Sequence, residues 1–568
     1  MKTKNESMKT QEQENHALPK DIIEKLFPNE LPLAEEWDKK YPPRELPEGA
    51  MVTRLGPSPT GLMHLGGVYA SLISERFAHQ TNGVFYLRIE DTDEARSRPE
   101  TTEVIVKSLD FFNIPVDEGM TISGEEKGNY GPYTQSARAK LYQTFAKQLV
   151  EQGKAYPCFC MSEETNTLGE QQMKEGIRPG YYGKWAKWRD ASPKEVEAEL
   201  SKGTPYVIRL RSNGNFENKV KVHDLLKGDL ELSENDIDKK IFVPATGLPR
   251  YHLAHVIDDH FMGTTHVLRG DEWLSSVPLH LELFEALGWK PPEYGHLAPI
   301  QKMEDASKKR KLSKRKDPEA NAMLYQEEGF LPEAVVEYLL NLANSDFEDW
   351  RKENPGKDNR EFHLTFERLS RSNGPLLDFV KLNDVSKEIV SHLQASEIYN
   401  RGLSWAKQYN QKLAEEMERN PDYTKDALNI EREGAPRPRK DIGAWSDLYA
   451  EIGYFFDSIF GEKEPISEEL FGIAKDDRES IVNAFLETYN ENDTKDEWFE
   501  KVKDMGRKLG YADGAKAYKL EPEKYKGQVG DVAKIFRVLL TGKTNTPDLH
   551  SIMKVMGKER VTQRLKMV

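Results

Sequence analysis

Residues 51–90 read MVTRLGPSPTGLMHLGGVYASLISERFAHQTNGVFYLRIE, and the order of their apolar and breaker residues decides the fold class. MVTRL is a short strand candidate, and the turn GPSPTG that follows is rich in residues that interrupt regular structure. Val68, Leu72, Ile73 and Phe77 then recur at helical spacing, and Asn82-Gly83 supplies a stop. The apolar run VFYLRIE comes directly after, so strand, helix and strand fit within about forty residues, the size of a βαβ unit with a parallel sheet. In open sheets of this kind ligands gather outside the carboxyl ends of the strands. A helix N-terminus placed there offers unpaired N–H groups to phosphate. His64, a lone imidazole between the breakers and the pair Gly66-Gly67, falls at that turn.

Outward from this unit, the 568 residues imply several domains. A net charge of −15 would repel a polyanion unless basic residues gather locally, and KKRKLSKRK at 308–316 is such a gathering. Cys158 and Cys160 are the only cysteines. They are too few and too close for a disulfide framework, which suits a reducing, cytoplasmic setting. Residues 1–50 are polar, lack the apolar core of a signal peptide and read as a weakly ordered extension. No run is long and apolar enough to span a bilayer. Charged segments and the strand-like PYVIRLR interrupt the alternation at 157–222, as an insertion into a nucleotide-binding fold would. YHLAHVIDDH and THVLRGDEW then restore it, and from about Lys316 helical patterns prevail.

Four motifs in order carry a resemblance: PSPTGLMHLGG, RIEDTD, THVLRGDEW and KLSKR. With them the chain resembles the bacterial-type glutamyl-tRNA synthetases, class I ligases, from about Met51 to Trp289, again around KLSKR and again near the C-terminus. The resemblance implies an α/β fold, a Rossmann-like catalytic domain split by an insertion and followed by an all-α anticodon-binding region. The expected division is a polar extension over 1–50, catalytic halves over 51–156 and 225–305, an acceptor-arm insert over 157–224, a loop and stem-contact domain over 306–385, and anticodon helices over 386–568. The implied activity is ATP-dependent attachment of L-glutamate to tRNA(Glu) through a glutamyl-adenylate, with tRNA required for activation. Charging of tRNA(Gln) is left open, and a monomer is expected.

By this resemblance the first signature comprises Pro57, Ser58, Pro59, Thr60, Gly61, Leu62, Met63, His64, Leu65, Gly66 and Gly67, and the second Lys311, Leu312, Ser313, Lys314 and Arg315. The attacking carboxylate is already ionised, so catalysis reduces to positioning and charge stabilisation. His64, Gly66, Gly67 and Lys314 are the expected ATP contacts, with His64, Lys311 and Lys314 catalytic and the Ser313 hydroxyl steadying the turn. Arg54, Ser58, Tyr251 and Arg269 are expected around the glutamate side chain and Glu90 at its ammonium. ATP enters as its Mg2+ complex. Many relatives hold zinc in the insert; here Trp185, Lys187 and Trp188 stand where the second ligand pair belongs, so no zinc is expected. His255, Asp258, Asp259, His260 and His266 match no metal spacing and read as a helix-to-strand turn. Arg432, Arg437, Arg439, Lys440, Lys554, Lys558, Arg560 and Arg564 are candidate phosphate contacts for tRNA. The rivals are a glutaminyl-tRNA synthetase, whose signatures differ from HLGG and EDTD, a small-molecule nucleotidyltransferase, and an idle paralogue.

Overall fold

The structure is a computed structural model that describes residues 16–93, 95–305, 307–369, 374–461 and 466–567. The chain forms two compact units, Met1–Leu324 with Leu339–Leu377, and Tyr325–Tyr338 with Asp378–Val568. The principal elements of the first are helices α1 (Lys20–Leu26) and α2 (Ala34–Lys40), strand β1 (Val52–Leu55), helix α3 (Leu65–Gln80), strand β2 (Val84–Leu87) and helix α4 (Ala139–Glu151). Strands β3 (Ala155–Cys158), β4 (Val207–Leu210), β5 (Lys219–Asp224), β6 (Gly228–Ser233), β7 (Lys240–Val243) and β8 (Leu248–Pro249) follow. Helix α5 (Tyr251–Phe261), strand β9 (His266–Gly270), helix α6 (Val277–Leu287), strand β10 (Glu293–Leu297) and the hairpin β11 (Gln301–Met303) and β12 (Lys309–Lys311) complete it.

The opening βαβ unit forms as its pattern dictates. Val68, Leu72, Ile73 and Phe77 are all buried in α3, which is enclosed nearly all round, and each contributes about 1.5–3 kcal/mol. Asn82 takes a left-handed φ of 55° to turn the chain, and a Cβ on Gly83 would sit 1.9 Å from the Met51 carbonyl oxygen, so only glycine lets β2 start beside β1. Strands β1 and β2 pair in parallel. So do β9 and β10, with Arg269 opposite His296, and β10 pairs in parallel with β5. The Thr265 N–H donates to the Val52 carbonyl at 3.0 Å and joins the two sheets. The strand order therefore reverses between β1 and β9, and their carboxyl ends open a crevice there.

Two expectations are corrected. Residues 16–50 are docked, not loosely ordered: Ile22, Ile23, Leu26, Phe27 and Tyr41 enter the same core as Phe145, Phe242 and Phe261. The Arg44 guanidinium grips Glu118 at 2.7 and 2.9 Å and the Met262 carbonyl at 2.7 Å. Five apolar side chains dispersed among charges leave no run for periodicity to detect. Residues 1–15 lie outside the described residues. The insert also does not end at 224. Its antiparallel sheet, ordered β8-β7-β4-β3, extends to Pro249, while the β5–β6 hairpin within it pairs with β10 of the other sheet. Strand partners are chosen by backbone hydrogen bonds across space, which local pattern does not encode. Trp188 packs on Phe159 with ring centroids 4.8 Å apart, giving the insert part of its apolar centre.

Residues 306–385, expected as one domain, are divided between the units. Phe366 stacks on Phe77 at 4.1 Å, and Gln80 exchanges hydrogen bonds with the Leu364 backbone, tying that stretch to α3. The second unit is built of helices, among them Phe379–Ser391, Ala395–Tyr409, Lys475–Thr488, Val529–Thr541 and Leu549–Leu565, around a core that includes Leu413, Trp445, Phe485, Phe536 and Ile552. No helix among the described residues is long and apolar enough to cross a membrane.

Candidate active site

A cavity of about 650 Å³ opens at the strand-order reversal. Arg54 from the end of β1, Ser58 from the turn, His64, Gly66 and Gly67 from the start of α3, Arg269 from the end of β9, Lys311 from the end of β12 and Lys314 from the turn that follows all line it. Glu90 lies directly behind the turn: a Cβ on Gly56 would meet its Oε1 at 2.4 Å. Tyr251, at the start of α5, accepts a hydrogen bond from Arg269 at 3.3 Å. Strand ends and one helix start thus gather residues more than 250 positions apart in sequence.

His64 is the N-cap of α3, and the Gly66 N–H donates to its Nδ1 at 2.9 Å. A neutral imidazole that accepts at Nδ1 carries its proton on Nε2, so the ring is a donor at that end, where the Leu312 backbone is its partner. Burial, then the nearby Lys314 ammonium, hold the ring below the usual imidazole range and keep it neutral. The Lys314 ammonium donates to the Leu62 carbonyl, bridging the two signatures. Leu312 anchors the loop, buried and donating its N–H to the Ile300 carbonyl at 2.9 Å. The turn itself is steadied by Asp317, which accepts from Arg310 at 2.6 Å and from the Ser313 N–H at 2.9 Å. The backbone of Ser313, with Asp317, does the work expected of its hydroxyl. Lys311 reaches Glu272 at 3.3 Å, and Arg315 is exposed.

Beneath the cavity lies a buried charge network. Arg88, fully buried, donates to Asp259 at 2.6 Å and to Glu90 at 2.8 Å. Asp259 also faces Arg54 at 3.6 Å, and Asp258 takes Arg138 at 2.8 Å, Gln135 and the Tyr142 hydroxyl. Burial raises the Glu90 carboxyl against the pull of Arg88 and Arg54. Asp258 and Asp259, read from the sequence as part of a helix-to-strand turn, lie instead within α5 as counter-ions on its inner face, and His255 stacks on Tyr251.

Arg269 differs from its neighbours in meeting no carboxylate among the described ion pairs. It donates to His296 at 3.1 Å, the Tyr251 hydroxyl and the Trp273 carbonyl, and lies 3.4 Å from His280 Nδ1. Burial first, and Arg269 among the neighbouring charges, hold His255 and His280 well below the usual range and push His252 down to about 4. The cation is therefore ringed by neutral imidazoles. Arg88, His280 and His296 were missed by sequence reasoning, and Asp259 was read only as part of a turn. The one visible hint is Arg88 itself, a charge inside the apolar run VFYLRIE.

Elsewhere the structure redistributes the candidates. Cys158 and Cys160 each lie 3.5 Å from the Tyr181 hydroxyl, and Trp185 and Lys187 contribute an indole and an ammonium, so two thiols stand where tetrahedral zinc needs four N or S ligands. The site does not fit that metal. Arg432 and Arg564 are buried structural ties, not phosphate contacts: Arg432 holds Asp441, and Arg564 holds Asp457 and the carbonyls of Tyr454 and Leu540. Arg439 shares Asp441, Lys440 pairs with Glu388 and Arg560 with Asp457. Arg437, Lys554 and Lys558 remain exposed.

Residues 50–354 match the family model described as tRNA synthetases class I (E and Q), catalytic domain, and residues 413–568 match an anticodon binding domain. A glutamate–tRNA ligase of Clostridium perfringens is 46% identical over 542 residues, covering 95% of this chain and 98% of the relative. One from Sorangium cellulosum is 44% identical over 556 residues, covering 94% and 97%. The crystal structure of a glutamate tRNA ligase from Elizabethkingia meningosepticum in complex with its amino acid superposes with a TM-score of 0.71 at 25% identity, covering 91% of this chain and 98% of that one. With a catalytic-domain match over more than half its length and such relatives along nearly all of it, the chain belongs to the glutamate–tRNA ligase family of class I aminoacyl-tRNA synthetases.

Proposed function

We propose that the chain attaches L-glutamate to the 3′ end of tRNA(Glu) in two steps, through a glutamyl-adenylate, releasing pyrophosphate and then AMP. The observation that carries this reading is one cavity with two buried arginines at one wall and a helix N-terminus with two lysines at the other. Arg269, Arg54 and the Tyr251 hydroxyl receive the side-chain carboxylate, Ser58 lines the same pocket, and Glu90 receives the ammonium group. The substrate's α-carboxylate attacks the α-phosphorus of ATP, and pyrophosphate leaves. His64 donates from Nε2 to a phosphate oxygen, while Gly66 and Gly67 admit the nucleotide close to the backbone. Lys314, with Lys311 adding to the field, leaves the Leu62 carbonyl to meet the charge that develops on the departing pyrophosphate. ATP brings Mg2+ as its counter-ion, and zinc has no part.

The neutral amide of glutamine offers Arg269 no charge to compensate, so the pocket favours glutamate over glutamine by the energy of a buried ion pair. The enzyme works as a cytoplasmic monomer in this reading. The test is ATP–pyrophosphate exchange with glutamate, glutamine or aspartate, with and without tRNA, followed by charging of purified tRNA(Glu) and tRNA(Gln). Exchange with glutamate in the presence of tRNA is expected, and the second tRNA shows whether charging is restricted. Equal exchange with glutamine would overturn the pocket assignment.

A further inference from the structure

Behind Arg269 stand two side chains that the reaction does not touch. Asp224 closes β5, and His296 sits on β10 directly opposite Arg269 on β9. Asp224 and His296 are essentially without solvent exposure. Asp224 accepts from the Leu226 and Lys227 N–H groups through Oδ1, at 3.0 and 2.9 Å, and turns Oδ2 to His296 Nδ1 at 2.6 Å. An ionised carboxylate only accepts, so the ring proton is on Nδ1 and Nε2 keeps a bare lone pair. The Arg269 Nε–H donates to that lone pair. A guanidinium does not deprotonate, so the contact exists only in this tautomer.

We infer that Asp224 and His296 are positioning residues for amino-acid capture: the carboxylate sets the imidazole tautomer, and the imidazole holds Arg269 by its inner edge at the cavity wall. The inference rests on reading Arg269 as a substrate-binding cation. Its physical content is separation. Asp259 touches Arg88 directly and compensates it, whereas a neutral ring stands between Asp224 and Arg269, so the arginine is oriented without being paired. The charge is left for an incoming carboxylate.

Protonation at Nε2 would turn the acceptor into a donor facing a donor. The groups around His296 are Asp224 and Lys227 from β5 and its turn, Arg269 from β9 and the Tyr294 ring on its own strand; His280 from α6 reaches the same guanidinium, and Lys227 is paired with Asp271. Burial, with Arg269 and Lys227, holds the ring below the usual imidazole range against Asp224. Capture of glutamate should therefore fail on the acid side, as pH falls through that depressed value.

Steady-state KM and kcat for glutamate and ATP, and the pH profile of kcat/KM for glutamate, test this on the full chain with tRNA present. His296→Leu should raise KM for glutamate about 10- to 100-fold, with kcat and the KM for ATP within about threefold. Asp224→Asn keeps Oδ1 for the backbone amides but presents an NH2 to the ring, flipping the tautomer, and should raise KM comparably. His296→Gln keeps an acceptor that cannot protonate; it should restore KM near the wild-type value and remove the acid limb. Should His296→Leu fold poorly, the profile of His296→Gln still decides: an acid limb unchanged from wild type overturns the inference. Arg269→Ala is the separate arm. If it raises KM and neither partner variant does, the positioning role is wrong; if it leaves KM unchanged, the pocket assignment itself is wrong.

Discussion

Arg269 in the first unit and Arg564 in the second are nearly equally buried, at 6% and 2% exposure, yet they do opposite things. Arg564 is committed: the Asp457 carboxylate at 2.6 Å and two carbonyls engage both terminal nitrogens of its guanidinium. Arg269 is held by two imidazoles, a phenol hydroxyl and one carbonyl, all uncharged. Burial therefore does not distinguish a binding arginine from a structural one. The charge of its direct partners does: Arg564 is held by a carboxylate, whereas Arg269 touches only uncharged groups and keeps its charge for a ligand.

The sharpest way to break the comparison is Arg269→Ala. It should lower kcat/KM for glutamate by about 2–5 kcal/mol in activation free energy, some 30-fold or more, with the KM for ATP little changed. An unaltered kcat/KM would put Arg269 among the structural arginines. Arg564→Met should do the reverse: stability falls by about 1–3 kcal/mol as its hydrogen bonds are lost, read as a lower Tm, while glutamate-dependent exchange at low temperature stays at the wild-type level. If charging falls instead and Tm holds, Arg564 contacts tRNA after all.

The smallest effect carries the same logic to histidines. His79 is held by Asp117 and Glu75 at 2.8 Å each, and its hydrogen bonds to those carboxylates, Asp117 first, raise it to about 9. A folded-state value raised above the unfolded 6.5 stabilises fully below 6.5 and is lost as pH rises through about 9. The unfolding free energy of His79→Gln, taken from urea titrations, should thus lie below wild type by about 1 kcal/mol at pH near 6, and the gap should close near pH 10. A gap independent of pH would mean that His79 acts by packing alone.

Much of this is legible in the sequence. The βαβ unit, the helix start at His64 and the second basic signature follow from periodicity, breakers and motif order, and Arg54, Ser58, His64, Arg269, Lys311 and Lys314 do line one cavity. The docked α1–α2 segment was not legible, because Ile22, Ile23 and Leu26 are scattered among charges. Nor were the fates of Arg432 and Arg564, since a basic residue in a loop or helix looks alike whether it faces water or Asp441 and Asp457.

What the sequence determined by itself was local: where strands and helices begin, which residue types stand at the turn, and which motifs recur in which order. Tertiary structure alone decided which charge each arginine meets. Asp259 stands 171 residues from Arg88 and His296 stands 27 from Arg269, and neither pairing has a spacing that marks it. Electrostatic partnership depends on distance and burial in three dimensions, and those are set only when the strands choose their neighbours.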